Sequence, residues 1–140
     1  MKVLITGVKG MLGKDVAEAF SSRGHEVVGT DKEDLDITDF DSAKVKIQEI
    51  APDLLINTAA YNNVDGMEEE PGASIGYKVN AEGPGNLAKI AAEQNIPFIH
   101  YSTDYVFDGL RSDGYTEEDE PNPVSKYGES KSDGERFVLD

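Results

Sequence analysis

Five residues near the end of the chain, Tyr127-Gly128-Glu129-Ser130-Lys131, place a phenol and an ammonium four positions apart. On a helix this spacing brings both groups to one face. A free phenol ionises near ~10 and exchanges protons poorly at neutral pH until a nearby cation stabilises its phenolate, which the lysine can do. Tyr-x-x-x-Lys also arises by chance on amphipathic surface helices, so its meaning rests on what precedes it. Ser102-Thr103-Asp104 contributes a hydroxyl able to donate to a substrate carbonyl.

Thr6-Gly7-Val8-Lys9-Gly10-Met11-Leu12-Gly13 carries a second kind of chemistry, the binding of an anion. Glycine allows the unusual torsions and close backbone approach that a diphosphate needs, and a helix starting there offers free amides at the positive end of its dipole. The spacing alone fits any tight turn, but its place between an opening strand and a helix points to a dinucleotide. Asp31 falls where such a site sets an acid against the adenosine ribose hydroxyls, which favours NAD. Lys32 beside it could instead meet a 2′-phosphate, so the cofactor reading is NADPH or NADH. Asp36 and Ile37 follow where they could flank the adenine. His100 reads as a buried structural imidazole, and with His25 remote in sequence no metal set is predicted.

The elements that must position these groups are legible as alternating patterns. Apolar runs at 2–6, His25–Thr30, Asp53–Asn57 and Pro97–Ser102 predict four strands. Between the first two, Leu12, Val16, Ala19 and Phe20 share a helical face, and Gly24 suits a left-handed cap. Thr38 or Asp39 can cap a helix carrying Val45, Ile47 and Ile50, which Pro52 ends. A third helical stretch, roughly 73–94, contains Gly83-Pro84-Gly85 and is expected as one kinked helix. The order βαβαβαβ with apolar strands predicts an α/β fold, a Rossmann-type doubly wound parallel sheet with helices on both faces and right-handed crossovers. Residues 108–124 show no period, and are expected to form a loop beside the active site rather than a disordered segment.

The 140 residues suit a single domain, 1–140, that binds the dinucleotide and carries the Tyr-x-x-x-Lys helix. With 38% apolar residues the chain is of globular type, and its first apolar run is too short for a signal peptide or membrane span. No cysteine is present, which removes thiolate chemistry and is compatible with a reducing compartment; the expectation is cytoplasmic, with no membrane partner. A net charge of −15, from 28 acidic and 13 basic residues, argues against a nucleic-acid partner because the phosphate backbone would be repelled.

These residues together resemble the extended short-chain dehydrogenase/reductases, and within them the dTDP-4-dehydrorhamnose reductases. The opening Thr-Gly-x-x-Gly-x-x-Gly and the Tyr-x-x-x-Lys are shared generally. More particular are Leu35-Asp36-Ile37-Thr38, Asn57-Thr58-Ala59-Ala60-Tyr61 with Val64-Asp65, Val79-Asn80-Ala81-Glu82-Gly83-Pro84, and Ser102-Thr103-Asp104-Tyr105-Val106-Phe107-Asp108-Gly109. The resemblance implies NADPH or NADH as cofactor and reduction of the 4-keto group of dTDP-4-dehydro-L-rhamnose to dTDP-L-rhamnose. It implies Thr103, Tyr127 and Lys131 as the catalytic set, with Thr103 where many relatives have serine. Gly10, Met11 and Leu12 would then line the diphosphate, with Gly7 and Gly13 also among the cofactor-binding residues, Asp31 the ribose, and Asp36 with Ile37 the adenine. Ala59, Ala60, Tyr61 and the backbone of Tyr101 would border the rest of the cofactor together with Tyr127 and Lys131, and Asp104 would join Thr103 at the substrate.

The family also implies a nucleotide-sugar substrate and one helix through Pro84, and a homodimer is the possible assembly. Two short segments depart from its pattern: Asn62-Asn63 stands in place of Thr-Ala, and Asp65-Gly66-Met67 in place of Asp-Lys-Ala. Family members carry a further part, about as long again, that holds the nucleotide-sugar. A non-catalytic regulatory subunit resembling the methionine adenosyltransferase β subunit is the alternative from another class, and another nucleotide-sugar reductase or epimerase the alternative from the same one.

Overall fold

Residues 1–140 are described by a computed structural model, in which the four apolar runs are four strands: β1 (Lys2–Thr6), β2 (Glu26–Thr30), β3 (Leu54–Asn57) and β4 (Phe98–His100). They form one parallel sheet in the order β2-β1-β3-β4. The chain winds outward in both directions from β1, so the switch point lies between β1 and β3. The registers pair Thr6 with Thr30 and with Asn57, and Asn57 with His100. The last residues of all four strands therefore stand in one row, and the segments after them leave the sheet from the same edge.

Five helices connect and cover the strands: α1 (Met11–Ser21), α2 (Phe40–Ile50), α3 (Gly72–Tyr77), α4 (Gly83–Gln94) and α5 (Lys126–Leu139). Asp39 caps α2 by accepting from the Ser42 amide at 3.1 Å, and Ala51 ends it in the left-handed region ahead of Pro52. Ser125 caps α5 by accepting from the Gly128 amide at 3.1 Å. Gly24 takes a positive φ of 80°, two residues beyond the cap of α1.

Because neighbouring residues of a strand face opposite sides, β1 feeds two cores. Leu4 joins Leu55, Ile47, Leu87 and Ile90 under α2 and α4, while Val3 and Ile5 join Val16, Leu54 and Ile56 under α1. On the first face the cluster is closed, with Val28 and Phe98 of the edge strands packed against it and partly buried. On the second, α1 lies over one side only, and Ile99, the register partner of Ile56, is 41% exposed. Of the four residues expected on one α1 face, Val16 is buried but Leu12, in the first turn of the helix, is exposed. β4 is shorter than the run 97–102 suggested. Beyond His100 the Tyr101 carbonyl is taken by the Lys131 ammonium instead of a neighbouring strand.

The stretch 73–94 is helical throughout, as expected, but its irregularity is a widened π-type turn over Lys78–Glu82 rather than a kink at the proline. Pro84 then sits at the start of α4. Its missing N–H falls opposite the carbonyl of Asn80, and Gly134 of α5 lies against that carbonyl so closely that a Cβ would overlap it. No helix is long and apolar enough to cross a membrane.

Candidate active site

Gly7 turns the chain out of β1 with φ +74°, and its amide and that of Val8 donate to the Thr30 carbonyl at 2.8 and 3.2 Å. A Cβ at Gly7 would stand 2.6 Å from Ala59 Cα, and one at Gly13 would overlap the Gly7 carbonyl. Only glycine lets the turn, the start of α1 and the end of β3 meet this closely. Gly10 precedes α1 with no side-chain cap. The amides of Met11, Leu12 and Gly13 therefore point out of the helix without acceptors, an arrangement suited to phosphate oxygens.

Beside this turn a cavity of about 420 Å³ is lined by Gly7, Gly10, Asp31, Asp36, Ile37, Ala59, Ala60 and Tyr61, all expected from the sequence, and by Lys32, Thr58, Asn62 and Val79. Burial works against ionisation of Asp36, but the Thr38 hydroxyl at 2.7 Å and amide at 2.9 Å, with Lys32, hold its carboxyl below the usual range. Asp31 accepts the Lys9 amide at 3.2 Å. The glycine cradle, the free helix amides and an acid at the end of β2 fit a dinucleotide lying across the strand ends. A larger groove, about 740 Å³, between Phe40, Lys89 and Phe137 contains none of the expected site residues.

The catalytic candidates gather at the neighbouring end of β4. Lys131 is 3% exposed, and its ammonium donates to the Tyr101 carbonyl at 2.7 Å. Burial lowers its pKa to about 8. Tyr127, one turn earlier on α5, is 8% exposed, with its hydroxyl 3.5 Å from Asn62 Oδ1 and its ring edge-on to Tyr105 at 5.4 Å. Its pKa is raised, chiefly by burial and also by Tyr105 and Asp104, while the Thr103 hydroxyl opposes the shift. The acidifying influence expected from Lys131 is not present in this arrangement, because that ammonium is turned to Tyr101. Thr103 donates to Asp104 Oδ1 at 3.1 Å and accepts from the Tyr105 amide at 3.3 Å.

Residues 108–124 form a loop held by its own polar groups. Asp108 accepts from the Tyr115 hydroxyl, the Leu110 amide and Asn122 Nδ2; Phe107 and Tyr115 stack at 4.2 Å. Asn122 donates to the Val106 carbonyl at 2.8 Å, tying the loop base to the segment that touches Tyr127.

Three asparagines were given no role by the sequence reading. Asn80, fully buried, accepts the Tyr61 amide at 2.7 Å and donates to the Tyr61 carbonyl at 3.0 Å and to Ser130 Oγ at 3.1 Å. Ser130 Oγ in turn donates to the Tyr127 carbonyl at 2.7 Å, so one amide links the cavity wall to the tyrosine helix. Asn57 accepts from the Thr6 hydroxyl at 2.6 Å and the Ala59 amide at 3.1 Å, which leaves its Nδ2 to donate to His100 Nδ1 at 3.0 Å. That bond assigns the His100 proton to Nε2, and burial with Lys131 nearby lowers its pKa to about 4, so it is a neutral structural imidazole. Asn62, one of the departures from the family pattern, stands beside Tyr127; Met67, another, packs against Gly76, where a Cβ would stand 2.9 Å from Met67 Cγ. Asn57 and Asn80 both stand within family motifs, and a buried polar residue at a fixed place in a motif is the signal that could have marked them.

A family model described as the RmlD substrate binding domain matches residues 1–140. A probable low-salt glycan biosynthesis reductase, Agl14, from Haloferax volcanii is 42% identical over 100% of this chain and 49% of its own length. Among solved structures, a dTDP-4-dehydrorhamnose reductase from Clostridium acetobutylicum superposes with a TM-score of 0.94 at 43% identity, covering 99% of this chain and 49% of that one. A second, from Bacillus anthracis and in complex with NADP, gives 0.93 at 39% identity with the same coverage. The chain spans about half the length of the relatives it matches.

Proposed function

The chain belongs to the RmlD substrate-binding-domain family, and from that premise we propose that it is the cofactor-holding half of an enzyme reducing the 4-keto group of dTDP-4-dehydro-L-rhamnose to dTDP-L-rhamnose with NADPH or NADH. The observation that carries this reading is the convergence, along one edge of the sheet, of a glycine cradle, a cavity of dinucleotide character and the trio Thr103, Tyr127 and Lys131. Residues 1–140 are read as one cofactor-binding domain that also carries the catalytic helix. The setting is the cytoplasm, where reduced dinucleotides and nucleotide-sugars occur, and the assembly a homodimer, which light scattering on the whole protein would check. A non-catalytic subunit is not favoured, since the relatives and structures described above are named as reductases.

A bound reduced nicotinamide supplies hydride to the carbonyl carbon. Gly10, Met11, Leu12 and Gly13 would hold the diphosphate through backbone amides, and Asp31 the adenosine ribose. Thr103 turns its hydroxyl from Asp104 to the carbonyl oxygen and orients it. Tyr127 Oη, which carries its proton at neutral pH as any phenol does, would then donate that proton to the oxygen as the alcohol forms. With cofactor bound, the Lys131 ammonium, which here donates to the Tyr101 carbonyl, would have to turn towards the phenol and the nicotinamide ribose, where it would ease departure of the proton.

In the whole protein, Tyr127→Phe should lower turnover about 10²–10⁴-fold, the usual contribution of a general acid, with little change in cofactor affinity. Stopped-flow oxidation of NADPH with the 4-keto sugar measures this, and unchanged turnover would assign the proton to another group.

A further inference from the structure

Resting on the reading of Tyr127 as the proton donor, we propose that Tyr105 is a positioning residue of the same reaction, its ring setting where the Tyr127 hydroxyl stands. A general acid works only within about 2.6–3.2 Å of the atom it protonates, and a displacement of about 1 Å can cost ~10²-fold in rate. Tyr127 has little else to hold its hydroxyl. Asn62 Oδ1 stands 3.5 Å away, at the limit of a hydrogen bond, and the Lys131 ammonium is bound to the Tyr101 carbonyl at 2.7 Å. What packs against the phenol is the Tyr105 ring, with centroids 5.4 Å apart and planes at 85°, an edge-to-face arrangement that aromatic pairs favour.

Tyr105 lies in a single 3-10 turn, Asp104–Val106, and joins the two hydroxyls that must address one carbonyl oxygen. Its amide donates to Thr103 Oγ1 at 3.3 Å, so the oxygen is held while the hydroxyl hydrogen, now on Asp104 at 3.1 Å, can still turn. Its carbonyl lies against Gly128, the residue after Tyr127, so closely that a Cβ there would overlap it. These contacts come from ring and backbone, not from the Tyr105 hydroxyl. The turn is anchored without the ring. Val106 is buried, its carbonyl accepts the Asn122 amide at 2.8 Å, and the Phe107 amide donates to the Asp104 carbonyl at 3.0 Å. Tyr105 itself is 48% exposed, so removing its ring opens no core cavity, and its consequence falls on the proton donor rather than on the fold.

The test compares Tyr105→Leu, Tyr105→Gln and Tyr105→Phe in the whole protein, with NADPH and the 4-keto sugar. The first two should lower kcat about ten- to hundred-fold, with KM, the NADPH Kd and the urea midpoint little changed. The solvent deuterium isotope effect on kcat should rise in both, as proton transfer comes to limit turnover. Tyr105→Phe keeps the ring and should recover turnover to within about three-fold of the unaltered chain. Because Tyr105 acts through the phenol, adding Tyr105→Leu to Tyr127→Phe should cost less than about two-fold further, whereas independent effects would multiply. Unchanged kcat in the first two variants, a loss that Tyr105→Phe does not recover, or a fully multiplicative loss in the double variant would overturn the positioning role alone. Unchanged turnover in Tyr127→Phe would remove the proton-donor reading and the positioning role with it.

Discussion

At the residue scale, what the sequence disclosed were groups whose backbone or spacing leaves a local mark. Gly7 and Gly13 are needed because neighbouring backbone comes too close for any Cβ, and Tyr127 and Lys131 because one helical turn separates them. Asn57, Asn62 and Asn80 left no such mark: their amides join residues 19 to 65 positions away, which no local pattern records. Lys131 shows a second limit, since its burial was not legible from a helix that is otherwise polar. With its pKa lowered to about 8 in the folded chain, the unfolded state binds the proton more tightly. Below pH 8 both states are charged and the full cost of burial stands; as pH rises from about 8 towards ~10.4 the folded state gains. The difference in urea midpoint between the unaltered chain and Lys131→Met should therefore change over that window by the equivalent of roughly 2–3 kcal/mol, in favour of the unaltered chain at high pH. Lys131→Met should also weaken both cofactor binding and turnover, and a flat difference across the window would show that the ammonium is not buried.

At the scale of elements, the alternation of strands and helices was readable almost throughout, with boundaries off by one or two residues where an edge strand lost its partner. The third helical stretch was the exception. Its Gly-Pro-Gly marked an irregularity, but not that the widening falls ahead of the proline and carries Asn80 inward. That turn links Tyr61 after β3 to Ser130 on α5 through a single buried amide, so three elements depend on one side chain. Asn80→Ala would leave the Tyr61 amide and carbonyl without their partner in a half-buried place, at about 1–3 kcal/mol for each group. An overall loss of about 2–4 kcal/mol is expected by urea unfolding, with weaker cofactor binding beyond what the lower stability accounts for. Ser130→Ala, which removes the link from Asn80 to α5 and the hydroxyl's bond to the Tyr127 carbonyl but leaves the Tyr61 bonds in place, should cost about 1 kcal/mol. Equal losses in the two variants would mean that the connection to Tyr61 contributes nothing.

At the scale of the whole molecule, the doubly wound sheet follows from alternating elements and right-handed crossovers, but which face stays open does not. Ile99 reads as a core residue in sequence and is half exposed, because coverage depends on what lies over β4 and not on β4 itself. Charge is the other property of the whole. Arg111 is paired with Asp113 and Asp119, and Lys126 with Glu129, so the cations nearest the catalytic trio by sequence are already engaged, in a chain of net charge −15. A nucleotide-sugar diphosphate needs cations that outweigh this field. Residues 1–140 alone should accordingly bind the dinucleotide but give no measurable turnover of the 4-keto sugar, while a protein of the length of its relatives turns it over; comparable rates in parallel assays would place a complete sugar site within these residues. The alignment of Thr6, Thr30, Asn57 and His100 in a single row has one more consequence. With every functional segment departing from that end, the bends at Gly24, Ala51 and Asn95 form an opposite pole with no chemistry to protect, and Gly24 has open space around it. A fluorescent reporter spliced in at Gly24 would ride on the molecule as a passenger, leaving cofactor titrations to be read from a tagged protein as from an untagged one.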